Sequence, residues 1–225
     1  MSCASRLGCA APTVESMAID VLLTGFEPFA GAATNESWEA VRGAAPQLRE
    51  HGLVVAAVEL PVEFGRAGDL LAGAVREHHP RLVVAVGLAA GRRGITPERV
   101  AINVRDARIP DNAGASPVDE PVVPGGPVGH FTVLPIKAMV AALSEEGVPG
   151  SVSQTAGTYV CNDVFYRLQH LLAADTSLTG IRGGFVHVPA AEVIDAVTAS
   201  RALALLVRVA LDTPTDLERA GGTEH

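Results

Sequence analysis

Two side chains in this sequence have the chemistry of a thiol nucleophile and its base, Cys161 and His187. Cys161 lies just inside a helix expected to follow Ala156-Gly157-Thr158, where unpaired amides and the helix dipole favour a thiolate and so lower its pKa. A lone cysteine in an apolar helix is more often a small core residue. His187 ends the apolar run Gly183-Gly184-Phe185-Val186-His187-Val188-Pro189. Strand ends in α/β sheets gather reactive groups and the flanking glycines admit a close neighbour, although a satisfied core histidine would look the same. Of the seven histidines, this one has the least loop-like setting. A thiol and an imidazole need a third group to orient the ring. Glu98, in the segment Gly91-Arg92-Arg93-Gly94-Ile95-Thr96-Pro97-Glu98-Arg99, offers a carboxylate, as do Asp106 and Asp111.

The elements that must position these groups alternate along the chain. Asp20 to Thr24 reads as a buried strand running into a loop at Gly25, and Ser37 to Leu48 has helical spacing with Ser37 placed to cap its start. A second strand over Leu53 to Leu60, a helix over 66–79 stopped by Pro80, and a third strand over Leu82 to Val86 complete a β-α-β-α-β rhythm. A further strand is expected at Val100 to Val104. The stretch from Asp111 to Gly129, rich in Pro, Gly and Asp, reads as an ordered excursion or a mobile flap. Helices are expected from Pro135 to Glu146 and from Tyr159 to Leu172, then a strand over Ile181 to Val188 and a closing helix over Glu192 to Leu211. The expected fold is a single α/β domain with a twisted, mostly parallel or mixed central sheet and helices on both faces, phosphorylase- or hydrolase-like, with reactive groups at the strands' carboxyl ends.

Composition narrows the function. The chain has 225 residues, 48% hydrophobic and 19% charged, enough for one well-filled core and ordinary for a globular enzyme. A formal charge of −8 and no run of Lys or Arg argue against nucleic acid and anionic membranes as partners. Apolar runs such as Leu82 to Val86 fall far short of the ~20 residues that cross a bilayer. Residues 1–18 hold Cys3 and Cys9 but lack the unbroken apolar stretch of a secretory signal, so a cytoplasmic location with reduced thiols is expected. Residues 1–18 are read as a disordered N-terminal extension, its first sixteen or so an added or misassigned start before Met17; 19–213 are read as the catalytic domain and 214–225 as a C-terminal tail. No convincing cluster of metal ligands is visible, and neither a metal nor a cofactor is expected.

Five segments, in order and covering the chain from about Val21 to the last helix, resemble the pyroglutamyl-peptidase I family, also called pyrrolidone carboxyl peptidases. They are Thr24-Gly25-Phe26-Glu27-Pro28-Phe29; Gly91-Arg92 with Ile95-Thr96-Pro97-Glu98-Arg99-Val100-Ala101-Ile102-Asn103; Asp106-Ala107-Arg108-Ile109-Pro110-Asp111-Asn112; Ala156-Gly157-Thr158-Tyr159-Val160-Cys161-Asn162; and Gly184-Phe185-Val186-His187-Val188-Pro189. The resemblance implies a cysteine peptidase that removes an N-terminal pyroglutamate, with Glu98, Cys161 and His187 as its triad. It implies an apolar slot for the flat lactam in which Phe26 and Phe29 take part, and Leu88, Arg108, Ile109, Tyr159 and Val160 are expected to join them. Aromatic faces suit such a ring, and a few backbone groups would read its N–H and C=O. Arg108 is a candidate for stabilising the oxyanion, or else for an ion pair with Asp106 or Asp111. The expected chemistry is attack by a Cys161 thiolate, already paired with imidazolium, followed by protonation of the leaving amine by His187 and hydrolysis of the acyl group. The substrate partner would be a pyroglutamyl peptide, and the resemblance implies a homodimer or homotetramer.

The chain departs from that family's usual pattern at Ala30-Gly31, where Gly-Gly is common, and at Gly87-Leu88-Ala89-Ala90-Gly91-Arg92, where Leu88 replaces an amide side chain. Ala30 and Ala90 add methyl groups that would narrow a close backbone approach. Leu88 supports a first rival, a catalytically silent relative that binds pyroglutamyl peptides or lactams without cleaving them. A nucleoside-phosphorylase-like enzyme is a second, by fold analogy alone and without a phosphate-binding signature. A redox-sensing thiol protein built on Cys161 is a third.

Overall fold

The computed structural model describes residues 18–222, so Cys3, Cys9 and nearly all of the expected N-terminal extension lie outside the described residues. Strand β1 (Val21–Phe26) is buried at all six positions, as a strand covered on both faces requires. It is followed by α1 (Glu36–Glu50), β2 (Val55–Leu60), α2 (Arg66–His78) and β3 (Leu82–Leu88). A two-residue strand β4 (Thr96–Pro97) precedes β5 (Val100–Ile102) and β6 (Gly129–Phe131). Helices α3 (Ile136–Glu145) and α4 (Val160–Ala174), a short 3₁₀ turn, β7 (Arg182–Val188) and α5 (Ala196–Asp212) complete the chain.

The main sheet has the order β2-β1-β3-β7-β4, parallel except for β4, which runs antiparallel to β7. Side chains alternate between its two faces. Val21, Leu23, Val84, Val86, Val186 and Val188 pack against α1, α3 and α5. Leu22, Phe26, Val83, Ala85 and Phe185 pack against α2 and α4. The expected α/β domain with helices on both faces is therefore the observed one. Among the described residues, no helix is long and apolar enough to cross a membrane.

Several boundaries differ from the expectation for physical reasons. Asn35, not Ser37, caps α1: its side chain accepts from the Ser37 amide. The Ser37 hydroxyl donates to Asn35 Oδ1 at 2.8 Å and accepts from the Phe26 amide at 3.0 Å, so it ties the end of β1 to the start of α1. The closing helix starts at Ala196, because Asp195 accepts from the Val197 and Thr198 amides and 192–194 remain outside. Strand β5 is shorter than expected and leaves the main sheet to pair with β6, an element with no clear sequence pattern. The excursion over 111–129 is pinned rather than free. Asp111 accepts from the amides of Phe64, Ala113 and Ala115, Asn103 holds Val123 through both its N–H and C=O, and the Tyr166 hydroxyl donates to Pro127 O. Past α5, Asp216 caps α3 by accepting from the Lys137 and Ala138 amides.

Candidate active site

The register between β3 and β7 sets the site. Gly87 lies opposite His187 at the carboxyl ends of these parallel strands, which run ~4.8 Å apart. His187 has the same side-chain parity as Phe185, so it projects toward α4. Cys161, in the first turn of α4, comes down on the same face. A β-carbon added at Gly87 would lie 2.8 Å from Cys161 Sγ and 2.8 Å from Phe185 Cζ. Glycine is the residue that leaves room for the sulfur beside the imidazole. Thiol and imidazole thus share one face of the sheet at the carboxyl ends of its inner strands β3 and β7.

Behind His187 stand a buried carboxylate and a partly exposed guanidinium. Nδ1 of His187 lies 2.7 Å from Glu98 Oε1, and because a carboxylate can only accept, Nδ1 carries the proton and Nε2 is left as a base. Glu98 is fully buried. Its amide donates to Phe185 O at 2.9 Å, and Thr96 of β4 pairs with His187 itself, which fixes the acid against the ring. Arg92 Nη1 reaches the same Glu98 Oε1 at 2.6 Å. Of the other two carboxylates considered, Asp106 is exposed and Asp111 is committed to the 113–115 turn and Phe64.

Helix α4 presents Cys161 through its own first turn. Tyr159 at the N-cap is extended and supplies no side-chain acceptor, and the first intrahelical bond runs from the Asp163 amide to Tyr159 O. The amides of Val160, Cys161 and Asn162 therefore have no acceptor within the helix. Asn162, fully buried, accepts from the Ile102 amide and donates to Ile102 O and Val104 O. Asp163, equally buried, binds Arg105 Nε at 2.5 Å and accepts from the Gly65 amide. These two side chains lock the start of α4 to β5 and to the loop before α2. Sequence reasoning passed over both, although polar residues in the first turn of an apolar helix were a readable signal.

Next to the sulfur lies a cavity of about 190 Å³, lined by Phe26, Phe29, Val62, Leu88, Ile109, Tyr159, Val160 and Cys161, with Ala32, Thr34 and Asn35 at its side. This is below the ~300–1,000 Å³ of drug-sized pockets and suits a small ring. Phe29 and Phe64 both pack on Tyr159, with ring centroids 5.6 Å and 5.2 Å away. The Tyr159 hydroxyl donates to Pro110 O at 2.9 Å, which holds the wall in place. Six of the seven expected lining residues are there. Arg108 is not: its side chain is exposed, outside the cavity lining, and forms no ion pair with Asp106 or Asp111. The 106–110 segment brings Ile109, itself exposed, to the cavity wall instead. Ala30 and Ala90 are exposed and line nothing here, so their methyl groups do not narrow the cavity. Ala30 instead takes a left-handed φ of 53°.

The electrostatics reverse one expectation. Burial pushes the Cys161 thiol up to about 12, with the nearby Glu98 charge adding to it and Arg92 and the residue's own amide opposing it. Burial outweighs the helix start. Burial also lowers His187 below its ordinary value, against the pull of Glu98. Both directions favour a neutral thiol beside a neutral imidazole in the resting site, not a preformed ion pair. Among the described residues, no group of three or more His, Cys, Asp or Glu side chains could hold a metal ion.

Known proteins share this sequence and layout. The family described as pyroglutamyl peptidase matches residues 19–211. A protein of Streptomyces coelicolor named pyrrolidone-carboxylate peptidase is 49% identical over 216 residues, 91% of this chain and 99% of the relative. One of the same name from Pseudomonas fluorescens strain SBW25 is 50% identical over 211 residues, 90% of this chain and 97% of its own. The crystal structure of pyroglutamyl peptidase I from Bacillus amyloliquefaciens superposes with a TM-score of 0.81 at 40% identity, covering 88% of this chain and 100% of that one. A mutant pyrrolidone carboxyl peptidase from the hyperthermophile Pyrococcus furiosus gives 0.77 at 35% identity over 86% of this chain and 99% of that one. With 49% and 50% of the aligned residues identical to such relatives over nearly their whole length, the chain belongs to the pyroglutamyl peptidase family.

Proposed function

We propose that the protein hydrolyses the bond between an N-terminal pyroglutamate and the next residue, with Cys161 as nucleophile, His187 as base and then acid, and Glu98 as the group that orients the ring. The observation that carries this reading is one sulfur placed both at the wall of a small apolar cavity and over Gly87, the residue in register with His187, whose imidazole Glu98 holds. The lactam sits among Phe26, Phe29, Leu88, Ile109, Tyr159 and Val160, where only a small uncharged ring is admitted without loss.

Because the resting pair is neutral, the Cys161 proton passes to His187 Nε2 as Sγ bonds to the scissile carbonyl carbon. The carbonyl π electrons move onto oxygen, and the free amides at the start of α4 donate to the resulting oxyanion. When the C–N bond breaks, the imidazolium gives its proton to the departing amine. Water then attacks the thioester with His187 taking its proton, pyroglutamate leaves and the thiol is restored. Ionised Glu98 stabilises the imidazolium at each stage without taking its proton. Residues 19–213 form the peptidase domain in this reading, acting in the cytoplasm as a homodimer or homotetramer, which light scattering on the purified protein would check.

The test is turnover of a fluorogenic pyroglutamyl amide beside the corresponding prolyl amide, which lacks the lactam carbonyl. Release from the first and little from the second supports the reading. Binding of the pyroglutamyl amide without release by the wild-type protein would favour the silent relative instead.

A further inference from the structure

Glu98 makes an unusual set of contacts. Its Oε1 takes both His187 Nδ1 and Arg92 Nη1, while Oε2 is buried with no partner. The carboxylate is fully buried, whereas the Arg92 side chain keeps 24% of its surface. If Nδ1 of a neutral imidazole were its only partner, such a charge would be uncompensated, and the acid would take up a proton or swing away from the ring. Arg92 supplies the compensation, and more. Nη1 also bonds Thr96 Oγ1, on the strand residue paired with His187. Nη2 donates to Thr155 O at 2.8 Å, on the segment that leads into α4 and Cys161.

From these contacts we propose that Arg92 is a positioning residue for the reaction, one guanidinium that sets the acid, the strand paired with the base and the approach to the nucleophile in a single geometry. This rests on the roles given above to Cys161, His187 and Glu98. Arg92 is outside the lining of the lactam cavity, so it acts on the chemical step and not on substrate binding. A planar fork with several donors is required, because a single ammonium cannot reach Glu98, Thr96 and the Thr155 carbonyl together.

The experiment is a double-mutant cycle read by kcat and KM on the fluorogenic pyroglutamyl amide, with wild type and Cys161→Ala as controls. Arg92→Gln is expected to lower kcat by ~10- to 100-fold, the scale of misplacing a catalytic group by about an ångström, with KM changed less than about threefold. In the Glu98→Gln background the same change is expected to cost roughly threefold to tenfold less than in the wild type, because the carboxylate that Arg92 holds is gone while its contacts with Thr96 and Thr155 remain. Arg92→Lys is expected to recover part of kcat through its charge but not all of it, and it carries the same test should Arg92→Gln fail to fold by circular dichroism. A loss confined to KM, a full and independent loss in the Glu98→Gln background, or a kcat within threefold of wild type for both variants would overturn the proposal. An inactive wild type, or an active Cys161→Ala, would instead overturn the assignment of the nucleophile on which it rests.

Discussion

At the scale of single residues, the consequential finding is that desolvation dominates both the half-buried Cys161 and the buried His187. His187 titrates below its ordinary 6.5 and the Cys161 thiol is pushed up to about 12. The sign of the pH dependence follows: kcat/KM is expected to fall as acid protonates His187, at a pH below 6.5, and to show no alkaline limb from the thiol up to about pH 10. A rate profile across that range checks both limbs. For the same reason, alkylation of Cys161 by iodoacetamide in the free enzyme should be slow at neutral pH; a fast reaction there would restore the preformed ion pair. Cys161, His187 and Glu98 were legible as candidates because each falls in a recognisable segment. Their electrostatic state was not, since it depends on how deeply the fold buries them. Arg92 was written inside one of those segments, yet its contact with Thr155, 63 positions away, cannot be read from local pattern. Arg108 shows the converse: a charged residue near the right segment whose side chain the backbone turns to solvent.

At the scale of elements, two glycine-type positions make opposite claims. Gly87→Ala would put a methyl group 2.8 Å from both Cys161 Sγ and the immobile ring of Phe185. Its expected effect is a loss of ~100-fold in kcat, as for a nucleophile displaced by about an ångström, together with ~1–3 kcal/mol of stability from overpacking. Kinetics and a urea titration on one preparation would separate the two. Ala30 presents the reverse case. With φ at 53° and an exposed side chain, its β-carbon is strained, and Ala30→Gly is expected to raise stability by up to about 1 kcal/mol without changing kcat/KM. The long elements were readable because their apolar positions repeat with the period of a strand or a helix. Strand β4, two residues long and starting from Thr96-Pro97, carries no period at all, and β6 presents only Gly129, His130 and Phe131. Both exist because tertiary pairing imposes them. The cap of α1 was misplaced by two residues since Asn35 and Ser37 are both good caps, and only the contact of Ser37 with the Phe26 amide decides between them.

At the scale of the whole molecule, two desolvated histidines and two aspartates held by backbone amides set an acid limit. His187 and His130 both have lowered pKa values, the second from burial and from His170 at 3.2 Å. The unfolded chain therefore binds protons below 6.5 that the native state refuses, and stability is expected to decline as pH drops through that value. Asp20 and Asp195, lowered mainly by backbone hydrogen bonds from Val54 and Thr198, add stability above 3.8 that is lost in stronger acid. Thermal melts between neutral pH and about pH 4 should show the first decline before the second; a flat melting temperature down to about pH 5 would contradict it. The layered α/β design, with inner strands buried on both faces and candidate groups at their carboxyl ends, was visible in the alternation of elements. The pairing of Gly87 with His187 was not, because strand order and register are properties of the assembled sheet. The proposal on which all of this depends is that the sulfur at the carboxyl ends of β3 and β7 forms the bond to the substrate. Its most direct test is hydrolysis of a fluorogenic pyroglutamyl amide by wild type and Cys161→Ala side by side, under reducing conditions. Steady release by the wild type and none above background by the folded variant are expected, and undiminished release by Cys161→Ala would contradict that role for the sulfur.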